Sequence, residues 1–441
     1  MGEVPDDKKR KALKVFQNGK DNKLITQLNS CVRCGLCAES CIYYLAYNDP
    51  HFIPAKKVDI VSSIYRRYYT AAGRTFPWLF GARELNEETM KEMTDLLYGS
   101  CTVCGRCTPN CSIGLDIGYL VQTGRTMLAN MGEVPGSLQN SVDTAITTGN
   151  NMGILPEEFV DTLKWLEEDL RAEVNDPEAR IPLDEPGKEV MYTLNPREPK
   201  FFPLSISAMA KIFYAAGESW TLSTRMYDVT NYGFFSGDIE VAKELAGRMY
   251  DEVMHLQAKS CVMAECGHGY RVFRWEAPNY LQKEFPFEVL TCVELISRYI
   301  REGRIKLDPS KIKGKVTLHD PCNLVRNGGI IEEQRFILRH AVSDFVEMTP
   351  HGAENYCCGG GGGQLAMTEY NERRMKIAGM KADQIRNTGA TTVCSPCHNC
   401  VDQLIQTNAA YKLGVKVVTL AEIVADALII EPVDNNRTIE Q

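Results

Sequence analysis

The sequence predicts an α/β protein in which two similar lobes, each with a parallel sheet, follow an α-helical module rich in cysteine. Beyond residue 186, short β-rich runs alternate with longer helical segments, a pattern typical of parallel sheets whose two faces are covered. This alternation occurs twice, which predicts a duplicated lobe. Before residue 186, two cysteine groups with the same spacing precede a long segment of helical periodicity.

The bulk composition limits the classes of function. A chain of 441 residues predicts two or three domains. A net charge of -8 argues against a nucleic acid partner, because a phosphate backbone requires a basic surface. The start has no apolar leader, and charged residues interrupt the two most apolar stretches, 201–217 and 415–430. We therefore expect a soluble chain with no transmembrane segment of its own, which reaches a membrane through a partner.

The chain divides into four parts by composition. We predict an N-terminal extension at 1–30, a helical module at 31–185, a first lobe at 186–310 and a second lobe at 311–441. Pro177, Pro182 and Pro186 mark the boundary before the first lobe. For the basic run at 8–11, the sequence favours a solvated helix start over a membrane tether.

The elements follow in order along the chain. The segment between the two cysteine groups is interpreted as a linker, and 117–170 as helical. Strands are predicted at 189–194, 260–263, 287–290, 315–318, 345–348, 391–393 and 415–420. Helices are predicted at 205–216, 239–256, 332–341, 364–386 and 401–410.

The two early cysteine groups predict two metal clusters. Both have the spacing C-x-x-C-x-x-C-x-x-x-C, and in two-cluster ferredoxins the fourth cysteine of each run binds the other cluster. Two structural zinc ions are the alternative, which is disfavoured because zinc sites favour two separated C-x-x-C hooks. The runs lack the usual proline after the fourth cysteine. The two predicted [4Fe-4S] ligand sets are Cys31, Cys34, Cys37 and Cys111, and Cys101, Cys104, Cys107 and Cys41.

The last third carries a different cysteine set, with a vicinal pair at its centre. The set is Cys322, Cys357, Cys358, Cys394 and Cys397. Five thiolates exceed the four ligands that close the shell of a zinc ion, so an iron-sulfur cluster is the simplest occupant. Cys400 extends the last hook, and the sequence favours a buried helix cysteine over a sixth ligand.

Residues beside this set are candidates for supporting roles. In the glycine run 359–363, Gly359, Gly360 and Gly361 would let the backbone approach the cluster with its amides facing sulfide, although a mobile loop is the alternative. His319 and His398 are candidates to protonate a departing thiolate, with an ordinary hydrogen-bonded histidine as the alternative for each.

The first lobe has lost most of the same set. Asn195 stands in the place of Cys322, residues 231–233 in the place of the vicinal pair, and Cys261-x-x-Ala264 in the place of the hook, with Cys266 displaced. A structural role is favoured for His268 over lining the substrate access, and Cys292 is expected in the core.

The order of these motifs resembles the HdrD-type heterodisulfide reductase family over nearly the whole chain from about residue 25. Within that family the pattern is most similar to the DsrK subunit of the sulfite-reduction complex DsrMKJOP in sulfate reduction, and also to the Tmc and Hmc subunits. The resemblance implies that 31–185 is a helical ferredoxin-like module with two cubane [4Fe-4S] clusters. It also implies that the five late cysteines are catalytic and bind a noncubane [4Fe-4S] cluster. The lobe that holds them is called a CCG lobe after the motif Cys357-Cys358-Gly359.

The resemblance further implies partners and a location. One partner is a haem b membrane subunit, which holds the chain in the cytoplasm on the inner face of the cell membrane. The other is a small DsrC-like protein that carries a disulfide or trisulfide. The chain would exchange electrons between this protein and the menaquinone pool. A single complete CCG motif argues against the CoM-CoB heterodisulfide as substrate. The alternatives are a subunit that only transfers electrons in a Tmc- or Hmc-type complex and, in a separate class, a zinc-stabilised scaffold.

Overall fold

The computed structural model describes residues 4–17 and 22–430. Its first part is helical, with α1 Asp6–Gln17, α2 Asn22–Ser30, α3 Ile42–Tyr47, α4 Pro54–Tyr69, α5 Ala71–Thr75, α6 Glu87–Thr94, α7 Ile117–Ala129 and α8 Gly136–Thr148. Shorter turns lie at Leu36–Ser40, Pro50–Phe52 and Asp95–Gly99.

The segment between the two cysteine groups forms helices rather than the predicted linker. Val58, Val61 and Ile64 recur along one face of α4 and are buried against α7. Gly124 of α7 allows the close approach, since a β-carbon there would lie 2.8 Å from Val61 Cγ2. The tyrosines, lysines and arginines that suggest a linker lie among these buried positions, so the mixed composition hides the helical period.

The first α/β lobe contains a four-stranded parallel sheet of order β2-β1-β3-β4. Its strands are β1 Val190–Tyr192, β2 Trp220–Thr221, β3 Ser260–Met263 and β4 Glu288–Thr291. Its helices are α9 Pro156–Val174, α10 Arg197–Phe201, α11 Pro203–Ala216, α12 Tyr232–Ser236, α13 Ile239–His255, α14 Gly267–Arg271, α15 Ala277–Leu281 and α16 Cys292–Arg301, with a π-helical turn at Val272–Glu276.

The second lobe repeats this topology, with a parallel sheet of order β6-β5-β7-β8. Its strands are β5 Val316–Leu318, β6 Phe345–Glu347, β7 Thr392–Cys394 and β8 Lys416–Val418. Its helices are α17 Cys322–Val325, α18 Glu333–Ala341, α19 Asn371–Thr388, α20 His398–Tyr411 and α21 Leu420–Ala427, with 3-10 turns at Pro309–Lys311, Gly352–Glu354 and Thr368–Tyr370. The predicted pair of α/β lobes with parallel sheets is confirmed.

The two lobes share one hydrophobic core. Helix α21 of the second lobe packs against α11 of the first, and Leu307 forms an isolated bridge with Leu428. Helix α9 lies within the range 31–185 that the sequence assigns to the helical module, yet Phe159 and Leu163 on it belong to this shared core. The lobes therefore support each other across a continuous apolar interior.

Helix α19 begins at Asn371 instead of the predicted residue 364. The residues before it turn toward the helical module, because Gln364 Nε2 donates a hydrogen bond to the carbonyl oxygen of Tyr98 and Met367 is buried in the core of that module. Across the residues that the structure covers, we find no helix with both the length and the apolar character needed to cross a bilayer.

Candidate metal centres

The two early cysteine runs adopt the same unusual backbone. Arg33 and Val103, each two residues after the first cysteine of its run, have φ of 55° and 51°, and Gly35 and Gly105 have φ of 84° and 74°. A positive φ is strained for a β-branched residue such as Val103. The amide of Val103 donates to Cys101 Sγ at 3.4 Å. Both runs therefore form loops of the same curvature.

The first cavity brings together cysteines from both runs. It encloses about 350 Å³. Ile113 and Leu115 form part of its wall, and Cys34 is exposed at its edge. The thiols that line it are those of the first predicted set, Cys31, Cys34, Cys37 and Cys111.

The second cavity lies next to the first, since Ile117 lines both. It encloses about 420 Å³, and its thiols are those of the second predicted set, Cys41, Cys101, Cys104 and Cys107.

Lys57, which no sequence motif marks, is fully buried beside the second cavity. Its Nζ lies 3.8 Å from Cys41 Sγ and 5.5 Å from the centre of the Tyr43 ring. Burial by itself lowers the pKa of Lys57, but the surrounding thiolates outweigh it and raise the pKa. A buried ammonium group here offsets negative charge on the four thiols.

The third cavity lies in the second lobe and encloses about 310 Å³. Cys322 begins α17 after β5, and Cys397 is the N-cap residue of α20 after β7. Because β5 and β7 are adjacent parallel strands, their carboxyl ends bring these two thiols together. The thiols that line the cavity are those of Cys322, Cys358, Cys397 and Cys400, and Cys357 lies next to them.

The structure places Cys400, not Cys394, at this cavity. Cys394 is the last residue of β7, fully buried in the core that the lobes share, where burial and then Glu265 raise the pKa of its thiol. Cys400 lies in the first turn of α20, with its Sγ 3.4 Å from Cys358 Sγ. The helix begins only at His398, which turns the later hook 397–400 toward the cavity.

Hydrogen bonding among these thiols shifts their pKa values in opposite directions. The hydrogen bonds that Cys358 shares with Cys357 and then with Cys400 hold its pKa well below its usual value. The hydrogen bond from Cys400 lowers the pKa of Cys397 to about 7, and the backbone amide of Gly267 in α14 adds to this effect. These lowered pKa values favour the thiolate, the form that binds metal, at Cys358 and Cys397.

The second and third cavities are in direct contact. Cys104 packs against the hydrophobic cluster that contains Cys357, and the interaction between the two thiols raises the pKa of Cys104. Arg326 Nη1 donates to the carbonyl oxygen of Cys104 at 2.7 Å, and its Nη2 donates to that of Asn355 at 2.6 Å. The loop that carries the vicinal pair is thus held against the helical module.

The glycine run serves two contacts. The amide of Gly359 donates to Cys357 Sγ at 3.4 Å, and the amide of Gly360 donates to Cys358 Sγ at 3.4 Å. Gly361 lines the cavity. Gly362 has φ of 65° and packs on the helical module, because a β-carbon there would lie 2.7 Å from the Thr102 carbonyl oxygen.

Arg125, which no sequence motif marks either, joins three parts of the chain. Its fully buried guanidinium donates hydrogen bonds to the carbonyl oxygens of Leu97, Cys101, Phe235 and Gly362. Helical module, first lobe and glycine run are thereby tied together at one side chain.

His319 and Lys381 are buried basic groups beside the third cavity. A ring nitrogen of His319 lies within 4.8 Å of the sulfurs of Cys358 and Cys400, and neither ring nitrogen has a hydrogen-bond partner among the described residues. Burial lowers the pKa of His319 well below its usual value and that of Lys381 to about 8. Lys381 Nζ donates to Asn355 Oδ1 at 2.7 Å.

His398 does not line the cavity. Its Nδ1 lies 3.2 Å from the carbonyl oxygen of Glu265, and its Nε2 lies 3.0 Å from Ser205 Oγ, so it joins the two lobes. Burial lowers its pKa to about 4. His268 of the first lobe does line the cavity, and its ring packs on Phe235 with centroids 4.5 Å apart.

The remaining first-lobe residues preserve part of a second site. Cys266 is the N-cap residue of α14, as Cys397 is of α20, and Asn195 Nδ2 lies 3.6 Å from Cys266 Sγ. Gly269 occupies the helical position that Cys400 holds in α20. Cys292 is fully buried in the core, as the sequence predicts. The first lobe thus retains the thiol of Cys266, while Asn195 and Gly269 supply no thiol at the corresponding places.

The donor sets fit iron-sulfur clusters. Each cavity is lined by thiols from at least two separate segments, and His319 adds a buried nitrogen without a hydrogen-bond partner in the described part of the chain. Residues 27–115 match the 4Fe-4S dicluster domain, and residues 316–405 match the CCG cysteine-rich domain. A helical module with two thiol cavities, joined to a CCG site on a duplicated α/β fold, defines an iron-sulfur protein.

Curated relatives narrow the class. An Hdr-like menaquinol oxidoreductase iron-sulfur subunit 2 of Archaeoglobus fulgidus is 29% identical over 91% of this chain and 80% of its own length. The HdrD subunit of a dihydromethanophenazine:CoB-CoM heterodisulfide reductase of Methanosarcina acetivorans is 27% identical over 92% of this chain and 95% of its own. An EtfAB:quinone oxidoreductase of Syntrophomonas wolfei is 26% identical over 92% of this chain and 59% of its own. The chain is an HdrD-like CCG protein.

Proposed function

We propose that this chain is the electron-transferring, catalytic iron-sulfur subunit of a membrane-associated complex that connects a menaquinone pool to a sulfur substrate. The observation that carries the proposal is the packing of Cys104 against the cluster that contains Cys357, which joins the helical module to the CCG site. Together with Ile117, which lines both early cavities, it arranges the three thiol sites in a row from the exposed Cys34 to the buried vicinal pair.

Three ligand sets follow from this arrangement. The two early cavities hold cubane [4Fe-4S] clusters in a ferredoxin-like module, and the third holds a noncubane [4Fe-4S] cluster on Cys322, Cys357, Cys358, Cys397 and Cys400. When bound, the first two clusters supply single-electron transfer and the third supplies a place where sulfur can bind. Cys394 leaves the ligand set because its side chain lies in the core.

The relatives support the electron-donor end of the proposal. Two of them are an Hdr-like menaquinol oxidoreductase subunit and a quinone oxidoreductase, and both names refer to redox reactions of quinones. We therefore assign a haem b membrane subunit as the partner at the exposed Cys34 end, with the chain on the inner face of the membrane.

The other end of the row performs the sulfur chemistry. Cleavage of one disulfide consumes two electrons and two protons and yields two thiols. His319 is a neutral imidazole because burial lowers its pKa, and its N–H, which has no hydrogen-bond partner among the described residues, is available to donate to a sulfur of the substrate. Lys381 carries the positive charge that offsets the thiolates at Cys358 and Cys357. The substrate class is the disulfide or trisulfide of a small DsrC-like protein.

A second function is supported by the burial of the third cavity. Phe235, His268 and Asn399 line it, and all three are buried. A site buried in this way suits a cluster that only relays electrons, as in a Tmc- or Hmc-type complex. The catalytic function then requires that a partner protein open the wall formed by α14 and α17, which pack against each other.

One experiment separates the two functions. The anaerobically purified, reconstituted protein is oxidised with and without a small thiol or a DsrC-like dithiol, and its paramagnetic resonance spectrum is recorded. Catalysis predicts a new signal that depends on the thiol and that broadens with ³³S-labelled thiol. Full iron content without a thiol-dependent signal contradicts catalysis and leaves the relay. A colourless, iron-free protein contradicts both.

A further inference from the structure

An exposed loop of apolar residues lies next to the helical module. The aromatic loop, residues 76–80 (Phe-Pro-Trp-Leu-Phe), follows α5, and Trp78 is 78% exposed, Leu79 61% and Phe76 51%. The backbone is ordered by its own hydrogen bonds, since the amides of Leu79 and Phe80 donate to the carbonyl oxygen of Phe76. The side chains therefore project from a tight turn.

The sequence from residue 6 to residue 83, which includes the aromatic loop, is basic. Between residues 6 and 83 the sequence has fourteen lysine and arginine residues against six aspartate and glutamate residues, although the whole chain has a net charge of -8. Helix α1 carries three exposed basic side chains, Arg10, Lys11 and Lys14, and Arg74 just before the loop is exposed as well. None of the four has an ion-pair partner among the described residues. This region complements a negatively charged surface.

Contacts link the basic helix, the segment that leads to the aromatic loop and the first cavity. Helix α1 packs beside the end of α4, which leads through α5 to the loop, because the hydroxyl of Tyr69 donates to the carbonyl oxygen of Leu13 at 2.9 Å. At the other end of the loop, a β-carbon on Gly81 would lie 4.0 Å from Nη2 of Arg33, which lines the first cavity.

We propose that the aromatic loop inserts into the headgroup region of an anionic lipid bilayer, with α1 lying against the charged surface. Tryptophan favours the membrane interface, and each lysine or arginine near an anionic leaflet adds to binding. This assigns to the basic run the membrane contact that its sequence pattern alone disfavours. The inference rests on the proposed function, because it orients the exposed edge of the first cavity toward the membrane partner.

The test uses the intact, cluster-loaded chain in flotation with two kinds of vesicle, pure phosphatidylcholine and phosphatidylcholine mixed with phosphatidylglycerol. We expect binding to the anionic vesicles only, with loss of binding at high salt. Trp78→Ser is expected to weaken it about tenfold, since much of a tryptophan surface leaves the lipid. The matched control is Trp165→Ser, because Trp165 is 51% exposed but lies on α9.

Charge is tested separately. Lys14→Glu is expected to weaken binding about tenfold, and Lys164→Glu on α9 is its control. Leu79→Ser repeats the apolar test if Trp78→Ser fails to fold, as judged by iron content and melting temperature.

Two results overturn the proposal. One is equal or absent binding of the parent protein to both kinds of vesicle, and the other is undiminished binding of Trp78→Ser or Leu79→Ser. Absence of lipid binding together with protection of the loop in the detergent-solubilised complex would assign the surface to a protein partner instead. Viologen-driven reduction of the clusters, measured in the same variants, stays unchanged if only the lipid contact fails, so the proposed function is judged independently.

Discussion

Replacement of Cys400 by alanine, with replacement of Cys394 as its matched control, tests the ligand set of the third cavity. Both residues are buried cysteines and belong to overlapping C-x-x-C hooks. Cys400 Sγ lies 3.4 Å from Cys358 Sγ, and its hydrogen bond lowers the pKa of Cys397. Cys394 lies in the core that the lobes share. The two variants therefore remove the same group from two different environments.

The two replacements are expected to change different properties of the protein, iron content in Cys400→Ala and stability in Cys394→Ala. Cys400→Ala removes a ligand, so one of three four-iron clusters is lost or labile and the iron content falls by about one third. Cys394→Ala removes one buried sulfur from a packed core, which costs about 1–2 kcal/mol of unfolding free energy and lowers the melting temperature by a few degrees. Its iron content stays at the level of the parent protein.

The assay combines three measurements on anaerobically purified protein. Iron and acid-labile sulfide per chain report the clusters, resonance spectra of the dithionite-reduced protein report the two cubanes, and the melting temperature reports the core. Retention of both cubane signals in Cys400→Ala shows that the loss is confined to the third cavity. Full iron in Cys400→Ala, with iron loss in Cys394→Ala, refutes the assignment and restores Cys394 as the ligand.

Three further predictions concern buried charges. Lys57→Met should lower the midpoint potential of the second-cavity cluster by on the order of 100 mV. The reason is that an ammonium 3.8 Å from Cys41 Sγ stabilises the reduced state of the cluster. A redox titration checks this, with Lys56→Met as the control because Lys56 is exposed. Arg125→Lys should cost about 3 kcal/mol or more of unfolding free energy, seen as a lower melting temperature, because a lysine leaves several of the four carbonyl oxygens unpaired. Burial raises the pKa of Glu198 from 4.5 to about 8, so the folded state favours its protonated form, and stability is lost as the pH rises from about 4.5 to about 8. Glu198→Gln should flatten the decline of the melting temperature over that pH range. An unchanged decline would contradict a raised pKa for Glu198.

The pairing of the two early cysteine runs could be predicted because its determinants are local. Spacing within each run sets which three thiols lie on one loop, and the positive φ angles of Arg33 and Val103 curl both loops in the same way. The fourth cysteine of each run then reaches the other cavity, which Cys41 and Cys111 do in the structure.

The hook of the third cavity could not be chosen in the same way. Cys394 and Cys400 both stand three residues from Cys397, so spacing allows either hook. The choice depends on where β7 ends and α20 begins, because the side chains of a strand alternate between faces while the first turn of a helix presents position 400 beside 397. A shift of a few residues in the predicted helix start therefore exchanges a ligand for a core residue.

The amino-acid sequence by itself determined the cysteine runs, the vicinal pair with its glycines and the repeated α/β alternation, since spacing and periodicity express local backbone geometry. Only the tertiary structure decided that Lys57 lies at the second cavity, that Arg125 joins three parts of the chain and that Cys104 packs against the cluster that contains Cys357. These contacts join residues far apart in sequence, and their positions follow from the packing of the helical module against the lobes. The row of three thiol sites is a product of that packing.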